Sequence, residues 1–510
     1  MSIPLIYQED VAETFIVKRT GRIHHPYDET ISSFCHLSKN LWNQAQYIVN
    51  KYHKEFGIVP PYEEIDAVLN KKNYYKKDGK IHPDFNNYHK LGGALAQQIL
   101  KVHNKAWKSY KVGKRDYFDN PDKDYTGMPR KPKFKKKDGE FILIFTNQQI
   151  KFREKKDGSV LMTFPKNIKD KNGNKLKILL GNTSDLDSYI IERLMWSKFD
   201  QVRIIPKGTG YTIEIVYDKE ISNKNINNEL YQLDEDIIMS SDLGVENIAA
   251  ITDNIGNRPI VINSDILKAE NQWYNKRMAE LKSIYDRNRG FGTGCFLKRD
   301  KNGNIRYLTN KSGKKLDILT ENRNNFVLDS MHKVSRYLVE HALSIKSKTI
   351  AFGRNPFWKQ KVNMGGTDNQ NFVQIPHAKL IEMTRYKAEE YGIDVIDDTE
   401  EHTSRCSFLD SESIKHHDVY MGKRIKRGLF VASKGTEINS DVQGSYNILR
   451  KIPISKIKQK TKLDNVYPKF DVLDIIEGVV VHGLVPERLS ISDLMTKSFH
   501  NLGMNYRSIY

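Results

Sequence analysis

Asp242, Glu400 and Asp441 lie far apart in the chain, and each sits at the edge of a predicted element. Asp242 ends the apolar run Asp236-Ile-Ile-Met-Ser-Ser-Asp242, just before Leu243-Gly244. Glu400 follows a short strand, Ile393-Asp-Val-Ile396, and Asp441 opens a helical stretch that runs to Arg450. Carboxylates supplied by separate elements can share two divalent cations, and two cations can clamp both sides of a phosphodiester displacement. Taken singly, each acid has a plainer use. Asp242 suits a strand-end turn, and Asp441 suits the N-cap of its helix.

The elements that must gather these acids read as follows. Asp28 to Lys54 predicts a helix with Leu37, Leu41, Ala45, Ile48 and Val49 on one face, and His89 to Lys111 predicts a second, striped by Leu91, Leu95, Ile99, Val102 and Ala106. Residues 60–87 are polar and rich in Tyr and Lys. From about residue 116 the texture changes to loop, then to short strands at 141–145, 160–164, 175–180, 201–205 and 211–217. Their turn-separated spacing predicts an antiparallel barrel or sheet, with the earlier strand region at 10–24 split from it by the helices. Past a polar, Asn-rich linker at 222–233 come strands at 236–241, 247–252 and 259–262. Helices at 266–288 and 322–345 follow, separated by a Gly/Lys/Asn-rich stretch, 289–319, that reads as a mobile connection. Strand 348–352, helix 377–391, strand 393–396 and helix 441–450 complete the pattern. Pro376 suits the first turn of helix 377–391 and Gly392 its stop.

Composition limits the partners. Of 510 residues, 82 are Lys or Arg and 63 Asp or Glu, a formal net charge of +19. Such an excess favours a polyanion, most simply nucleic acid, over a membrane surface, since no basic amphipathic helix dominates. Hydrophobic residues make up 38%, and no apolar run approaches the ~18 residues of a membrane span. No basic-then-apolar leader is read at Met1-Ser-Ile-Pro-Leu-Ile-Tyr. Cys35, Cys295 and Cys406 are odd in number and widely spaced, with no Cys-x-x-Cys pair. They predict a reduced cytoplasmic setting and no thiolate zinc site.

Three early strands followed by alternating helices and strands is the order of a ribonuclease H-like domain. Four stretches carry a closer resemblance: Ser241-Asp-Leu-Gly-Val-Glu-Asn-Ile-Ala-Ala250, Asn369-Gln-Asn-Phe-Val-Gln-Ile-Pro376, Glu400-Glu-His-Thr-Ser-Arg-Cys-Ser-Phe-Leu-Asp410 and Ile438-Asn-Ser-Asp-Val-Gln-Gly-Ser-Tyr-Asn-Ile-Leu-Arg-Lys451. Together they resemble the RuvC segments of the TnpB family, transposon-encoded ancestors of the type V CRISPR effectors. Gly127-Met-Pro-Arg-Lys-Pro-Lys-Phe134 and Phe145-Thr-Asn-Gln-Gln-Ile150 resemble that family's N-terminal half.

The resemblance implies a multidomain α+β protein. A RuvC nuclease core would be preceded by a β-barrel wedge domain with a helical recognition insertion. The expected divisions are wedge at 1–27 and 116–232, recognition helices at 28–115, and RuvC at 233–402 and 438–455 with a helical and lid insertion. A target-nucleic-acid-binding module without zinc ligands would occupy 403–437, and a tail of unknown role 456–510. It also implies an RNA-guided DNA endonuclease in the prokaryotic cytoplasm, with a guide RNA and double-stranded target DNA as partners and two Mg²⁺ or Mn²⁺ ions as cofactors. The alternatives are a miniature type V effector using CRISPR RNA, a nuclease-inactive RNA-guided repressor, and a transposase acting without RNA.

Asp242 and Asp441 match the first and third RuvC aspartates. Many relatives carry the glutamate at the end of the strand corresponding to Thr349-Ile-Ala-Phe-Gly353, where this chain has no acid. It resembles a subgroup in which that glutamate has moved to the next strand, before a Thr-Ser pair. The pattern selects Glu400 with Glu401 as the alternative, since a strand turns only one of two neighbours toward the metals. Asp242 would then bridge both ions, with Glu400 and Asp441 each completing one. Relatives place a zinc ribbon between Thr403 and Asn439. Here only Cys406 remains, so packing of Phe408, Leu409, Tyr420 and Phe430 is expected in its place. For nucleic acid the expected contacts are Lys131, Lys133, Phe134, Lys135, Lys136 and Lys137, then Lys333, Trp358, Lys359, Lys423, Arg424 and Arg427.

Overall fold

The computed structural model describes residues 14–71, 76–77, 80–81, 86–120, 127–182, 188–195, 198–222, 231–289, 297–299, 305–307, 311–354, 375–426, 428–451 and 486–494. These fall into two compact units, one built mainly from Ile16–Glu220, the other mainly from the chain beyond it.

In the first unit, β1 (Thr14–Pro26) leads into α1 (Glu29–Phe56), α2 (Tyr62–Asn70) and α3 (Gly93–Asp119). The Asp28 side chain caps α1 by accepting from the Ile31 amide at 2.9 Å, and Gly57 ends it at φ 70°. That left-handed backbone favours glycine. Leu41, Ala45 and Val49 meet Leu95, Ala96 and Ile99 in one buried cluster. Strands β2 (Leu143–Thr146), β3 (Lys151–Glu154), β4 (Ser159–Thr163) and β5 (Lys177–Asn182) follow, then β6 (Gln201–Pro206) and β7 (Gly210–Ser222). They form a four-stranded sheet, β1-β7-β6-β2, and an antiparallel three-stranded sheet, β3-β4-β5. The helices thus interrupt the larger sheet after its first strand.

The second unit is centred on β8 (Asp234–Asp242), β9 (Asn247–Asp253), β10 (Ile260–Asn263), β11 (Ser347–Gly353) and β12 (Asp394–Asp398), with β16 (Glu487–Leu489) at the edge. The sheet order is β12-β11-β8-β9-β10-β16. The hairpins β8-β9 and β9-β10 are antiparallel, whereas β11 is parallel to both β8 and β12. Parallel neighbours need crossovers, and the helices α5 (Asp265–Arg289), α6 (Lys311–Ser344) and α7 (His377–Glu389) fall between the strands. Met331, Val334, Leu338 and Leu380 cluster with Met239, Ile251, Ile350 and Phe352. On the opposite face α8 (Ser440–Lys451) packs Val442, Tyr446 and Ile448 with Ile238, Ala250, Val261 and Ala351.

One expectation needs correction. The stretch 289–319 is not simply a connection: Leu297–Arg299 pairs with Ile305–Tyr307, and α6 starts at Lys311. Gly313 and the surrounding lysines hide a helical register that buries Leu319, while Thr209 donates through N (3.0 Å) and Oγ1 (2.6 Å) to Glu321 further along. The polar stretch 60–87, to which the sequence pattern assigns no element, contains α2, held by buried Ile65 and Leu69.

Candidate active site

Strand alternation aims Asp242. Ile238 lies in the cluster under α8, and Ser240, two residues on, donates to the Ser445 carbonyl of α8 at 2.8 Å. Asp242 therefore faces the same helix. The hydroxyls of Ser240, Thr252 and Ser445 lie within 2.7–3.0 Å of one another and pin α8 across β8 and β9. A Cβ on Gly444 would collide with Asp242 Oδ2, so any larger residue there forces the carboxylate or α8 to move. Gly444→Ala is expected to destabilise the protein by about 1–3 kcal/mol through overpacking, despite alanine's better helix propensity. Comparative thermal melting would check it.

Asp441 is the second residue of α8, but it is not the cap. Asn439 Oδ1 accepts from the Asp441 and Val442 amides at 2.9 and 3.2 Å. Asn439 thereby leaves the Asp441 carboxylate to other partners. Asn247 Nδ2, at the start of β9, donates to Asp441 Oδ2 at 2.6 Å, and an Arg424 guanidinium nitrogen stands 3.8 Å from Oδ1. Asn247 is placed by the tight turn after Asp242. The Gly244 amide donates to the Asn247 carbonyl at 3.0 Å, and His377 Nε2 lies 3.0 Å from the Gly244 carbonyl.

Glu400 lies just past β12. It approaches the end of β11, where a Cβ on Gly353 would come within 3.1 Å of Glu400 Cβ and 2.6 Å of Ile448 Cδ1. The space beside position 353 is thus already taken by Glu400 and α8. Glu401 turns outward, with its side chain 74% exposed and 3.6 Å from His402 Nε2. His402, at φ 66°, turns the chain sharply after the two acids. Lys451 Nζ holds the same corner from α8 by donating to Thr399 Oγ1 at 2.9 Å and to the Glu401 carbonyl at 3.1 Å.

Glu400 and Asp441 both act on Asp242. The Asp242 carboxyl is pushed well above the usual range, first by desolvation, then by the Glu400 and Asp441 carboxylates, with Arg424 and the Leu243 amide opposing. Part of the Asp242 residue surface remains open, yet protein surrounds the carboxyl closely enough for desolvation to dominate. Burial pushes Glu400 up to about 7, against the pull of Lys451. Among the described residues, no three or more His, Cys, Asp or Glu side chains stand closed around a metal position. The set fits a hard divalent cation by its chemistry rather than by finished geometry. Its donors are carboxylate oxygens, and the crowded negative charge raising Asp242 is what such a cation would offset.

The segment after Glu400 is held by more than aromatic packing. Phe408 and Phe430 are buried, and Phe408 stacks on Tyr446 with centroids 4.4 Å apart. Carboxylates tie the backbone as well. Asp410 accepts from Ser407 Oγ at 2.6 Å and from the Ser433 amide at 2.9 Å, and buried Glu412 accepts from the Ser407 and Met421 amides at 2.7 and 3.0 Å. From α8, Asn447 Nδ2 donates to the Thr403 and Cys406 carbonyls at 2.8 and 2.7 Å, which ties this segment to the helix that carries Asp441. Asp410→Ala is expected to cost about 2 kcal/mol by orphaning those donors, read as a fall in denaturant midpoint.

The expected nucleic-acid residues divide. Lys131, Lys133, Lys136 and Lys137 are exposed, as is Phe134 at 53%. Lys135 is different: its ammonium stands 4.5 Å from the ring centroids of both Trp42 and Phe141, and burial lowers its pKa. It fastens the basic segment to α1 rather than projecting from it. Lys333 pairs with Asp329 at 2.8 Å. Lys423 is exposed on β13 (Lys423–Lys426), and Arg424, beside it, reaches Asp441. Trp358, Lys359 and Arg427 lie outside the described residues.

Sequence reasoning missed Asn247, Asn439 and Gly444. The Asn-Ser-Asp run before the last helix does offer a cap two residues earlier than Asp441. Nothing local marks Asn247, which a hairpin brings to Asp441.

Two family models match the chain, one described as "Probable transposase" over residues 225–355, the other as "Cas12f1-like, TNB domain" over 377–448. The first spans Asp242 and the second Glu400 and Asp441. The TnpB-like protein ORF457 of Acidianus two-tailed virus is 25% identical over 447 residues, 83% of this chain and 84% of that protein. Among solved structures, a Cas12f1–sgRNA–target DNA complex matches at 14% identity and TM-score 0.47, covering 85% of this chain and 98% of that one. CasPhi-2 (Cas12j) bound to crRNA matches at 9% and 0.38, covering 86% and 98%. Such TM-scores are too low to carry an inference.

Proposed function

We propose that this chain is a TnpB-family protein and acts as an RNA-guided, metal-dependent DNA endonuclease whose site is formed by Asp242, Glu400 and Asp441. The observation that carries this reading is the convergence of three acids from distant segments on one corner of the sheet, with Glu400 and Asp441 both close enough to act on the desolvated Asp242 carboxyl. The sheet order, three antiparallel strands extended by two parallel ones with α8 across the face, supports a ribonuclease H-like RuvC core. The helices inserted after β1 support a wedge and recognition arrangement in the first unit. The domain divisions follow the limits set out above.

In this reading Asp242, Glu400 and Asp441 would together hold the Mg²⁺ or Mn²⁺ ions. Such ions would supply electrophilic assistance at the scissile phosphate, easing loss of a proton from the attacking water and offsetting charge on the leaving oxygen. The chain's own residues do the positioning. Asn247 orients the Asp441 carboxylate, Gly444 admits α8 to Asp242, and Lys451 fixes the corner from which Glu400 projects. Glu400 is favoured over Glu401 because it turns inward. Guide RNA and target DNA are the proposed partners, consistent with the +19 charge and the exposed lysines of 131–137.

Sequencing the RNA that co-purifies when the protein is expressed with its native flanks tests the guide. A discrete RNA species from a transposon end is expected. A CRISPR transcript would instead make the chain a type V effector, and no discrete RNA would favour a transposase acting alone.

A further inference from the structure

The C-terminal ends of α1 and α3, both in the first unit, enclose a cavity of about 360 Å³. That lies within the range of roughly 300–1,000 Å³ typical of small-ligand sites. Its lining combines a flat apolar surface with fixed positive charge. Phe118 is 60% exposed, while Lys111, Lys114 and Arg115 stand on the adjoining turns, and Asp119 shares the rim. Among the described residues none of the three bases forms an ion pair. Lys114 Nζ stands 5.9 Å from the Phe118 ring centroid. His53 also lines the cavity, and its Nδ1 is buried without a hydrogen-bond partner among the described residues. Burial and the neighbouring Lys131, Lys114 and Lys111 charges push that imidazole below its usual range, so it stays neutral and able to accept or donate.

A basic track runs close to the cavity, near enough for the Lys131 charge to act on His53. A Cβ on Gly113 of α3 would meet Pro129 at 3.4 Å, and the chain from there is laid back along α1. Trp42 Nε1 donates to the Lys133 carbonyl at 3.2 Å, Asn43 exchanges hydrogen bonds with Lys135 at 2.7 and 3.1 Å, and Lys39 Nζ donates to the Lys137 carbonyl. Backbone groups of this segment are turned to the helix, which leaves the Lys131, Lys133, Lys136 and Lys137 side chains exposed.

We propose that this cavity holds one nucleotide of a single polynucleotide strand, its base against Phe118 and its phosphates on Lys111, Lys114 and Arg115, with the strand continuing along Lys131 to Lys137. An aromatic face beside a row of cations is what a strand with a splayed base requires, and it is indifferent to sequence. The anion site rests on this geometry alone; only the choice of a polynucleotide as its ligand rests on the nuclease reading.

The test uses the full chain in chelator, with labelled 20-nucleotide oligo-dT and oligo-rU and an abasic strand of equal length, followed by fluorescence anisotropy across a salt series. Substituting Gln at Lys111, Lys114 and Arg115 together is expected to weaken binding at least ~10-fold and to make the log–log salt slope shallower by about 2. Phe118→Ala is expected to weaken binding of the base-bearing strands ~10-fold and of the abasic strand hardly at all, and Phe118→Leu to behave like Phe118→Ala. A loss confined to oligo-rU identifies an RNA strand, and a loss confined to oligo-dT a DNA strand. The triple variant retaining wild-type affinity and slope would overturn the site, and equal losses on abasic and base-bearing strands with Phe118→Ala would overturn the stacked nucleotide. Because no cleavage is measured, a chain that never cuts yet passes this test would sink the nuclease reading and leave the cavity assignment standing.

Discussion

Asp242→Asn is expected to bind guide and target as the wild type does and to cut about a thousandfold more slowly, equivalent to about 4 kcal/mol of barrier. The residue lies where β8 meets α8, with Glu400 and Asp441 both acting on it, so an amide there would remove the central negative donor of the proposed cation site. The same change is expected to raise the melting temperature of the metal-free protein. Desolvation and the Glu400 and Asp441 carboxylates all oppose its charge, and an amide of equal size carries none. This opposite movement of activity and stability marks a functional carboxylate, since a merely structural aspartate would lose stability on substitution. Single-turnover cleavage beside thermal melting in chelator would read both.

Stripped of divalent cations, the protein is expected to lose stability as pH rises toward and through about 7. The Glu400 carboxyl is held at about 7 in the folded protein against an ordinary 4.5. The folded state therefore binds that proton more tightly than the unfolded chain does. Its contribution is fully present below 4.5 and is lost as pH rises through 7, a difference on the order of 3 kcal/mol. Asp242, also raised, acts in the same direction. Asp397 and Asp410, whose carboxyls are lowered by Arg354 and Arg385 and by serine hydrogen bonds, act oppositely. Their contribution is present above 3.8 and is lost as pH falls, so it is constant between pH 5 and 8, and the difference between the wild-type and Glu400→Gln curves there reads the Glu400 effect. Glu400→Gln should flatten the curve and gain stability at pH 8. Mg²⁺ or Mn²⁺ should restore the wild type there and leave Glu400→Gln little changed. A wild-type curve with the same slope as the Glu400→Gln curve would contradict this account.

Most of the second unit's elements were legible because each carries a strong local signal. The β8 and β9 runs are apolar and short, α7 is flanked by Pro376 and Gly392, and helix α8 follows a run of capping residues. What failed was register hidden by composition. Leu316 and Leu319 sit in a lysine-rich stretch with a glycine, so α6 reads as loop until tertiary burial is known. The acids themselves were legible as motif positions, but not their supports. Asn247 reaches Asp441 only because a hairpin returns the chain, and the need for glycine at 444 appears only once Asp242 is seen beneath it. Lys135 looked like its neighbours in a basic run, although its aromatic partners, Trp42 and Phe141, come from other segments. The Asp410 and Glu412 networks were hidden for the same reason: carboxylates that satisfy distant amides look like any exposed acid in a loop.

The central claim is that one acid from each of three segments serves a shared cation site, with Glu400 supplying the member that position 353 lacks. The most direct measurement is Mg²⁺-dependent cleavage of a target matched to the co-purified RNA, compared between wild type, Glu400→Ala and Glu401→Ala under single-turnover conditions. The account predicts that Glu400→Ala loses cleavage about as severely as Asp242→Asn, and that Glu401→Ala cuts at close to the wild-type rate. Cleavage by Glu400→Ala at the wild-type rate, or its loss in Glu401→Ala alone, would contradict it.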